Sequence, residues 1–367
     1  MIDKLKFFLI SNMYPTKEYP GYGSFVKNVC EGIFQYHVEI KSKSVIYGKS
    51  CNKFNKLLKY TKFYIGIILN FWGRYDFIYI HFPNQAIPIL KVLYLFKKPK
   101  IVVNFHGEDL LYPHSGFGNM LGNMTEKFCR HYADIIIVPS QYFKEIVKSR
   151  NLIDDNKIIV SPSGGINRNF FYYEKHDSTE ILHIGFFGRL EDGKGYKEFL
   201  HACVKLKQIT PSIKFKALII GYGTKRDEVI QFIQENQMDQ IITLLPGVSQ
   251  SELGNYYRDL DLFIFSSSRI AESLGLTGIE AMACGVPVIG SEIGGIKSYL
   301  IDGFNGWLVP MQNADSIVEK IKIYLRLSLA EINDMKRNCI STGEKYYSDE
   351  VCKKLCIDIF HVMETGL

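Results

Sequence analysis

A chain of 367 residues is too long for one ordinary hydrophobic core. Its 47% apolar and 22% charged content, with no Pro/Gly/Ser-rich or repeated tract, excludes a disordered or fibrous protein. The net charge of +6 is unevenly spread, since residues 1–170 carry 23 Lys and Arg against 12 Asp and Glu and the remainder 21 against 26. A basic half favours an acidic neighbour, and an anionic membrane surface or a phosphate-bearing acceptor fits; nucleic acid is set aside because no stacking-aromatic or recognition-helix pattern accompanies the charge.

The segment Met1–Ile10 has a charged start, a short apolar run and no small-residue cleavage site, so it predicts a first β-strand rather than a leader. A cytoplasmic protein is expected, with peripheral attachment to the inner face of the cell membrane left open. Short apolar runs at Lys6–Ser11, Val38–Ile46, Phe77–His81, Ile101–Phe105 and Asp134–Val138 predict buried strands separated by helical segments. One of those helices sets Lys53, Lys56 and Lys59 at helical spacing among Phe and Leu, which suits either an anionic leaflet or a core helix with a solvated face. No apolar stretch reaches the roughly 18–20 residues of a membrane span; Tyr64–Trp72 comes nearest and is followed by Arg74 and Asp76.

The rhythm repeats at Leu182–Phe187, Phe215–Ile220, Ile241–Leu245, Leu262–Ser266 and Val286–Gly290, which predicts two doubly wound α/β domains. Pro162, Gly164 and Gly165 break both periodicities, placing a hinge near residues 164–178 and domains at 1–168 and 176–346. Val351, Leu355, Ile359 and Val362 stand at helical spacing, so the segment 349–367 is expected to be a terminal helix that packs back on the first domain. The eight cysteines include no C-x-x-C pair and no histidines at zinc spacing, so they read as reduced, mostly buried thiols, and no metal site is expected.

Ligands of open parallel sheets bind beyond the carboxyl ends of the strands, which directs attention to the loops there. Glu272-Ser-Leu-Gly-Leu-Thr-Gly-Ile-Glu280 follows one such strand and enters a helix. The amides of Gly275, Leu276 and Thr277 at the positive end of that helix can hold a diphosphate, Glu280 can accept from ribose hydroxyls, and Glu272 from hydroxyls of a sugar beyond. The spacing alone favours the plainer reading, with Glu272 as a helix cap and Glu280 as a solvated helix residue. Gly188-Arg-Leu-Glu-Asp-Gly-Lys-Gly195 brings two cations, Arg189 and Lys194, after another strand. Ile219-Ile-Gly-Tyr-Gly-Thr-Lys-Arg226 holds Gly221 and Gly223 but lacks the third glycine of a dinucleotide fingerprint. In the first half, Gly21 and Gly23 stand between strand one and a helix, where either a phosphate-binding loop or a plain tight turn serves, and His106-Gly-Glu-Asp109 follows a strand ending at Phe105.

The run ESLGLTGIEAMACGVPVI resembles the E-x7-E signature of the family-four retaining glycosyltransferases. The Gly188-Arg-Leu…Lys194-Gly pattern, the Gly221-x-Gly223 loop and His106-Gly-x-Asp109 occur in that family in the same order. The resemblance spans essentially the whole chain and is greatest over residues 182–310. It implies an α/β GT-B fold, two Rossmann-like domains facing across a cleft. It implies a UDP- or GDP-sugar donor held by Gly21, Gly23, Gly188, Gly221, Gly223, Val248, Leu274, Gly275, Leu276, Thr277 and Glu280. Arg189, Lys194 and Glu272 would act at the diphosphate and sugar, and His106 would donate a hydrogen bond near the reacting carbon. Departures are Gly294-Gly-Ile-Lys-Ser298 where relatives often have Pro-Glu after the glycine pair, Ser266-Ser267 where Pro-Ser is frequent, and Ser163-Gly-Gly where Asn-Gly is common.

The reaction implied is retaining transfer of a hexose-type sugar to a saccharide acceptor, lipid-linked in the favoured version, in surface polysaccharide synthesis, with no cofactor and with two cations doing the work of a metal ion. No side chain reads as a nucleophile poised by a base, which favours front-face attack over a covalent intermediate. A GT-B nucleotide-sugar epimerase and a non-catalytic nucleotide-sugar binder are the alternatives.

Overall fold

The computed structural model describes residues 5–19, 21–36, 38–111, 116–175 and 180–365. Met1–Lys4 of the expected first strand, Pro20 of the first loop, residues 176–178 of the expected hinge and 366–367 lie outside the described residues.

The chain divides into two compact units, Met1–Gly165 with Ser348–Leu367, and Ile166–Tyr347. The first runs β1 (Leu5–Tyr14), α1 (Ser24–Ile33), β2 (Val38–Tyr47), α2 (Lys53–Phe71), β3 (Phe77–His81), α3 (Ile87–Leu93), β4 (Ile101–Asn104), α4 (Gly116–Tyr132), β5 (Ile135–Val138), α5 (Gln141–Ser149) and β6 (Ile158–Val160). Its parallel sheet has the order β2-β1-β3-β4-β5-β6, in registers such as Ile78 opposite Ile101. Every residue of β3, β4 and β5 is buried, because helices cover both faces of a parallel sheet; the strands are therefore continuous apolar runs, without the alternation of a one-sided sheet.

The second unit contains β7 (Leu182–Phe187), α6 (Tyr196–Ile209), β8 (Phe215–Ile220), α7 (Arg226–Glu235), β9 (Ile242–Leu245), α8 (Gln250–Arg258), β10 (Leu262–Phe265), α9 (Leu276–Ala283), β11 (Val288–Ser291), β12 (Gly306–Val309), α10 (Ala314–Tyr324) and α11 (Leu329–Glu344). Its sheet order, β12-β11-β10-β7-β8-β9, is the doubly wound Rossmann arrangement, whose direction reverses between β7 and β10. In the first sheet the reversal falls between β1 and β3. Strands β6 and β12, three and four residues long, are not among the runs read from the sequence.

Helix α12 (Ser348–Thr365) follows, and its Cys352, Leu355, Cys356 and Ile359 join Phe7, Leu9, Val26 and Val29 in one core of the first unit. Residues 166–175 go with the second unit: Ile166 donates its N–H to the Tyr346 carbonyl, and Phe171 packs edge-on to Tyr257. The division therefore falls at Gly165/Ile166 and again at Tyr347/Ser348. Seven of the eight free cysteines are buried, Cys51 being the exposed one.

Helix α2 packs along one side on the core of the first unit. It buries Phe63, Ile67 and Phe71 and leaves Phe54, Leu57, Ile65 and Leu69 exposed.

Candidate functional site

In the second unit the reversal of strand direction opens a crevice at the carboxyl ends of β7 and β10, and the chemistry-bearing loops converge there. The loop after β7 carries Gly188, Arg189, Lys194 and Gly195; the loop after β10 carries Ser266, Ser267 and Glu272 and enters α9. The two loops touch at Gly195. A Cβ there would stand 2.2 Å from the backbone carbonyl of Ser266, and the residue has φ +91°, so only glycine permits this approach. Ser266 Oγ in turn donates to the Gly195 carbonyl at 2.7 Å.

That contact delivers Lys194 to Glu272. Their Nζ–Oε2 distance is 2.7 Å, with both side chains largely shielded from solvent, and Ser267 Oγ donates to the same carboxylate oxygen at 3.0 Å. Glu272 therefore does not cap α9, as its position in the sequence allowed. The N-cap is Gly275, at φ +77°, and it contributes no side-chain cap, so the first amides of the helix stay open to a ligand. Its carbonyl accepts from the Tyr299 hydroxyl at 2.8 Å, which holds the turn. Leu274 is buried, while Leu276 and Thr277 are half-buried.

Glu280 lies one turn below, only 4% exposed, so the solvated-residue reading of this position is overturned. It accepts from the Tyr257 hydroxyl at 3.1 Å, and burial pushes its carboxyl up from the usual range to about 7. A carboxylate kept at this depth with one hydrogen bond has capacity for further donors, such as vicinal hydroxyls. Arg189 does not share Lys194's partner: it pairs with Glu191 at 3.0 Å, and Arg269 reaches the same carboxylate at 3.5 Å. Gly221 packs against the Gly188 carbonyl and Gly223 against Leu190, so the loop after β8 closes on the loop after β7. Val248 lies half-buried beyond β9, packed on the second unit's core.

In the first unit, Gly23 (φ +71°) backs onto Met13 at the end of β1 and starts α1, with Gly21 exposed before it. Asn12 Nδ2 donates to Gln85 Oε1 at 2.9 Å, joining the carboxyl end of β1 to the segment after β3 at the switch point. His106, just past β4, is half-buried between the rings of Phe25 and Phe82, each 4.6 Å away, and its Nε2 lies 2.9 Å from Nδ1 of the buried His81. Its backbone N–H is held by Asp109 Oδ1 at 2.8 Å, and burial raises the Asp109 carboxyl to about 7.

Sequence reading missed the groups that hold the expected ones: Glu191, Ser267, Tyr257, Tyr299 and His81. Each but Glu191 and Ser267 comes from a distant part of the chain and carries no local signal. Among the described residues no cluster of three or more His, Cys, Asp or Glu could hold a metal ion. A recess of about 1390 Å³, lined in part by His183, Lys214 and Asp261, opens at the opposite, amino-terminal ends of these strands, where open parallel sheets do not bind their ligands.

Two Rossmann-like units of these topologies form a GT-B fold. A model described as Glycosyl transferases group 1 matches residues 173–346, and one described as Glycosyltransferase Family 4 matches residues 31–164. The chain belongs to the family-four, group 1 glycosyltransferases. It is 33% identical over 135 residues to D-inositol 3-phosphate glycosyltransferase of Pseudarthrobacter chlorophenolicus, covering 36% of this chain and 32% of that one. It is 27% identical over 227 residues to the capsular polysaccharide biosynthesis glycosyltransferase CapM of Staphylococcus aureus, covering 56% of each. The chain thus spans about a third to a half of the length of these curated relatives. The solved structure of Anabaena HepE in complex with UDP and glucose superposes with a TM-score of 0.74 over 97% of this chain and 99% of that one, at 16% identity, a likeness of fold.

Proposed function

We propose that the protein is a retaining, metal-independent glycosyltransferase that moves a hexose-type sugar from a UDP- or GDP-sugar to a saccharide acceptor during surface polysaccharide synthesis. The observation that carries this reading is the constellation at the β7/β10 crevice: the Lys194–Glu272 pair beside the open N-terminus of α9, with Glu280 buried one turn below. Helix amides and Lys194 suit a diphosphate, Glu280 a ribose, and Glu272 the hydroxyls of a sugar. The capsular relative and the UDP and glucose of the HepE structure agree with this chemistry.

In the reaction, the acceptor hydroxyl forms a bond to the anomeric carbon on the face from which the nucleoside diphosphate leaves, and its proton passes to the departing phosphate oxygen. Arg189, Lys194 and the amides of α9 stabilise the charge that develops there. The acceptor binds to the basic first unit. The exposed Phe54, Leu57, Ile65 and Leu69 of α2, with Trp72, Leu95 and Phe96 nearby and Lys53, Lys56 and Lys62 among them, form an apolar and cationic surface that suits an anionic leaflet carrying a lipid-linked acceptor. Lys59 is not part of it, because its ammonium is turned onto the carbonyls of Tyr47, Gly48 and Lys49. Among the described residues no helix is long and apolar enough to cross a membrane.

The test is nucleotide release from UDP-, GDP- and ADP-sugars in EDTA, with lipid-linked oligosaccharide as acceptor. Acceptor-dependent release that Glu280→Ala abolishes is expected. Release without acceptor points to the epimerase alternative, and binding without release to a non-catalytic nucleotide-sugar binder.

A further inference from the structure

Two histidines face each other at the carboxyl ends of β3 and β4, and the family resemblance gives a role to His106 alone. His81 ends β3 with no solvent exposure, its ring 4.4 Å from that of Tyr79. Its Nδ1 lies 2.9 Å from His106 Nε2, and the two rings stack at 5.1 Å with 17° between planes. The other ring nitrogen, His81 Nε2, is buried and has no hydrogen-bond partner among the described residues. Burial holds both rings below the ordinary histidine range, and each also faces another imidazole, so both are neutral.

Two neutral rings share one proton across a 2.9 Å contact, and only two arrangements exist. If His106 donates from Nε2, His81 carries its proton on Nε2, which leaves a buried N–H with no acceptor, and His106 presents a bare Nδ1. If His81 donates from Nδ1, its own Nε2 is a buried lone pair with no donor to it, and His106 carries its proton on Nδ1. Orphaned buried N–H groups are the rarer of the two defects, and each costs about 1–3 kcal/mol. The second arrangement is favoured.

We propose that His81 is a positioning residue that locks His106 in the Nδ1–H tautomer, so that His106 offers a hydrogen-bond donor, and not an acceptor, to a ligand oxygen at this end of the first sheet. The role of His106 at the sugar rests on the glycosyltransferase reading; the tautomer does not. A solvated histidine prefers the Nε2–H form, so His106 needs its neighbour to hold the other. Phe82, at φ +53°, and Phe25 clamp the ring on its remaining sides and fix its plane.

The experiment is ¹⁵N NMR of protein labelled at histidine, with His106→Gln used to assign the resonances. Wild type is expected to show His106 protonated at Nδ1 and bare at Nε2. His81→Phe shifts it to the Nε2–H form, and His81→Asn, whose amide can donate from the place of Nδ1, restores Nδ1–H. Turnover follows, falling about 10–100-fold in His81→Phe with less change in KM, and recovering in His81→Asn. Should the Phe variant not fold, wild type and His81→Asn decide. A wild-type His106 protonated at Nε2, or a His106 spectrum indifferent to His81→Phe, overturns the proposal. The expected spectra with no sugar transfer on any donor uphold the tautomer and count against the function proposed for the site.

Discussion

At the scale of single residues, the second unit's site is a balance of buried charges that a ligand would rearrange. Lys194 and Glu272 neutralise each other, and a diphosphate would draw the ammonium to itself. Lys194→Ala is expected to cut turnover about 10²–10³-fold, as loss of a charge-stabilising donor does, while leaving donor Kd much less affected; activity near wild type would remove Lys194 from the reaction. Glu280 gives a stability prediction with a definite sign. Its folded carboxyl is raised from about 4.5 to about 7, so the folded state holds a proton that the unfolded state has lost across that window. Stability therefore falls as pH rises from 4.5 to 7, by on the order of 3 kcal/mol from this group, and levels off above. Glu280→Gln should flatten that fall in melting temperature for the second unit, while Asp109, raised in the same direction, keeps its share in the first. Melting curves of the Gln variant with undiminished pH dependence would contradict the burial argument. Sequence spacing found Lys194, Glu272 and Glu280 but left the carboxylates open to a cap and a solvated residue. The choice needed Tyr257, Ser267 and the depth of α9, which no local pattern encodes.

At the scale of elements, two features were set by contacts across the fold. The Gly195 turn lets the β7 loop close on the β10 loop, so Gly195→Ala is expected to cost about 3 kcal/mol or more through strained backbone and a clash with Ser266, seen as an early melting transition of the second unit. A transition unchanged within about 0.5 kcal/mol would mean that the loops do not depend on this contact. Helix α2 is readable as a helix from the spacing of Lys53, Lys56 and Lys59, but its exposed apolar side is not. Only packing shows that Phe63, Ile67 and Phe71 suffice to anchor it, leaving Leu57 and Leu69 outward. Leu57→Glu with Leu69→Glu should lower sedimentation with anionic vesicles at least about tenfold while leaving melting unchanged. Equal sedimentation would assign this face to something other than a membrane.

At the scale of the whole molecule, helix α12 belongs to the first unit, so the chain leaves that unit after Gly165 and returns to it at Ser348. Removing Ser348–Thr365 takes Cys352, Leu355 and Ile359 out of the core they share with Phe7, Val26 and Val29. With about 1.5–3 kcal/mol for each large apolar side chain, the first unit should lose most of its stability and become protease-sensitive, while the second still melts cooperatively. Calorimetry of the truncated chain resolving two unchanged transitions would refute this. By itself the sequence determined the class of fold, because parallel strands buried on both faces must be short apolar runs alternating with helices, and it determined which loops carry charge, because glycines and paired cations at strand ends leave a local trace. The tertiary structure alone decided the strand order that opens each crevice, the burial of Glu280, the exposed face of α2 and the meeting of His81 with His106. Those depend on distances between residues far apart in the chain, and a one-dimensional pattern does not record them.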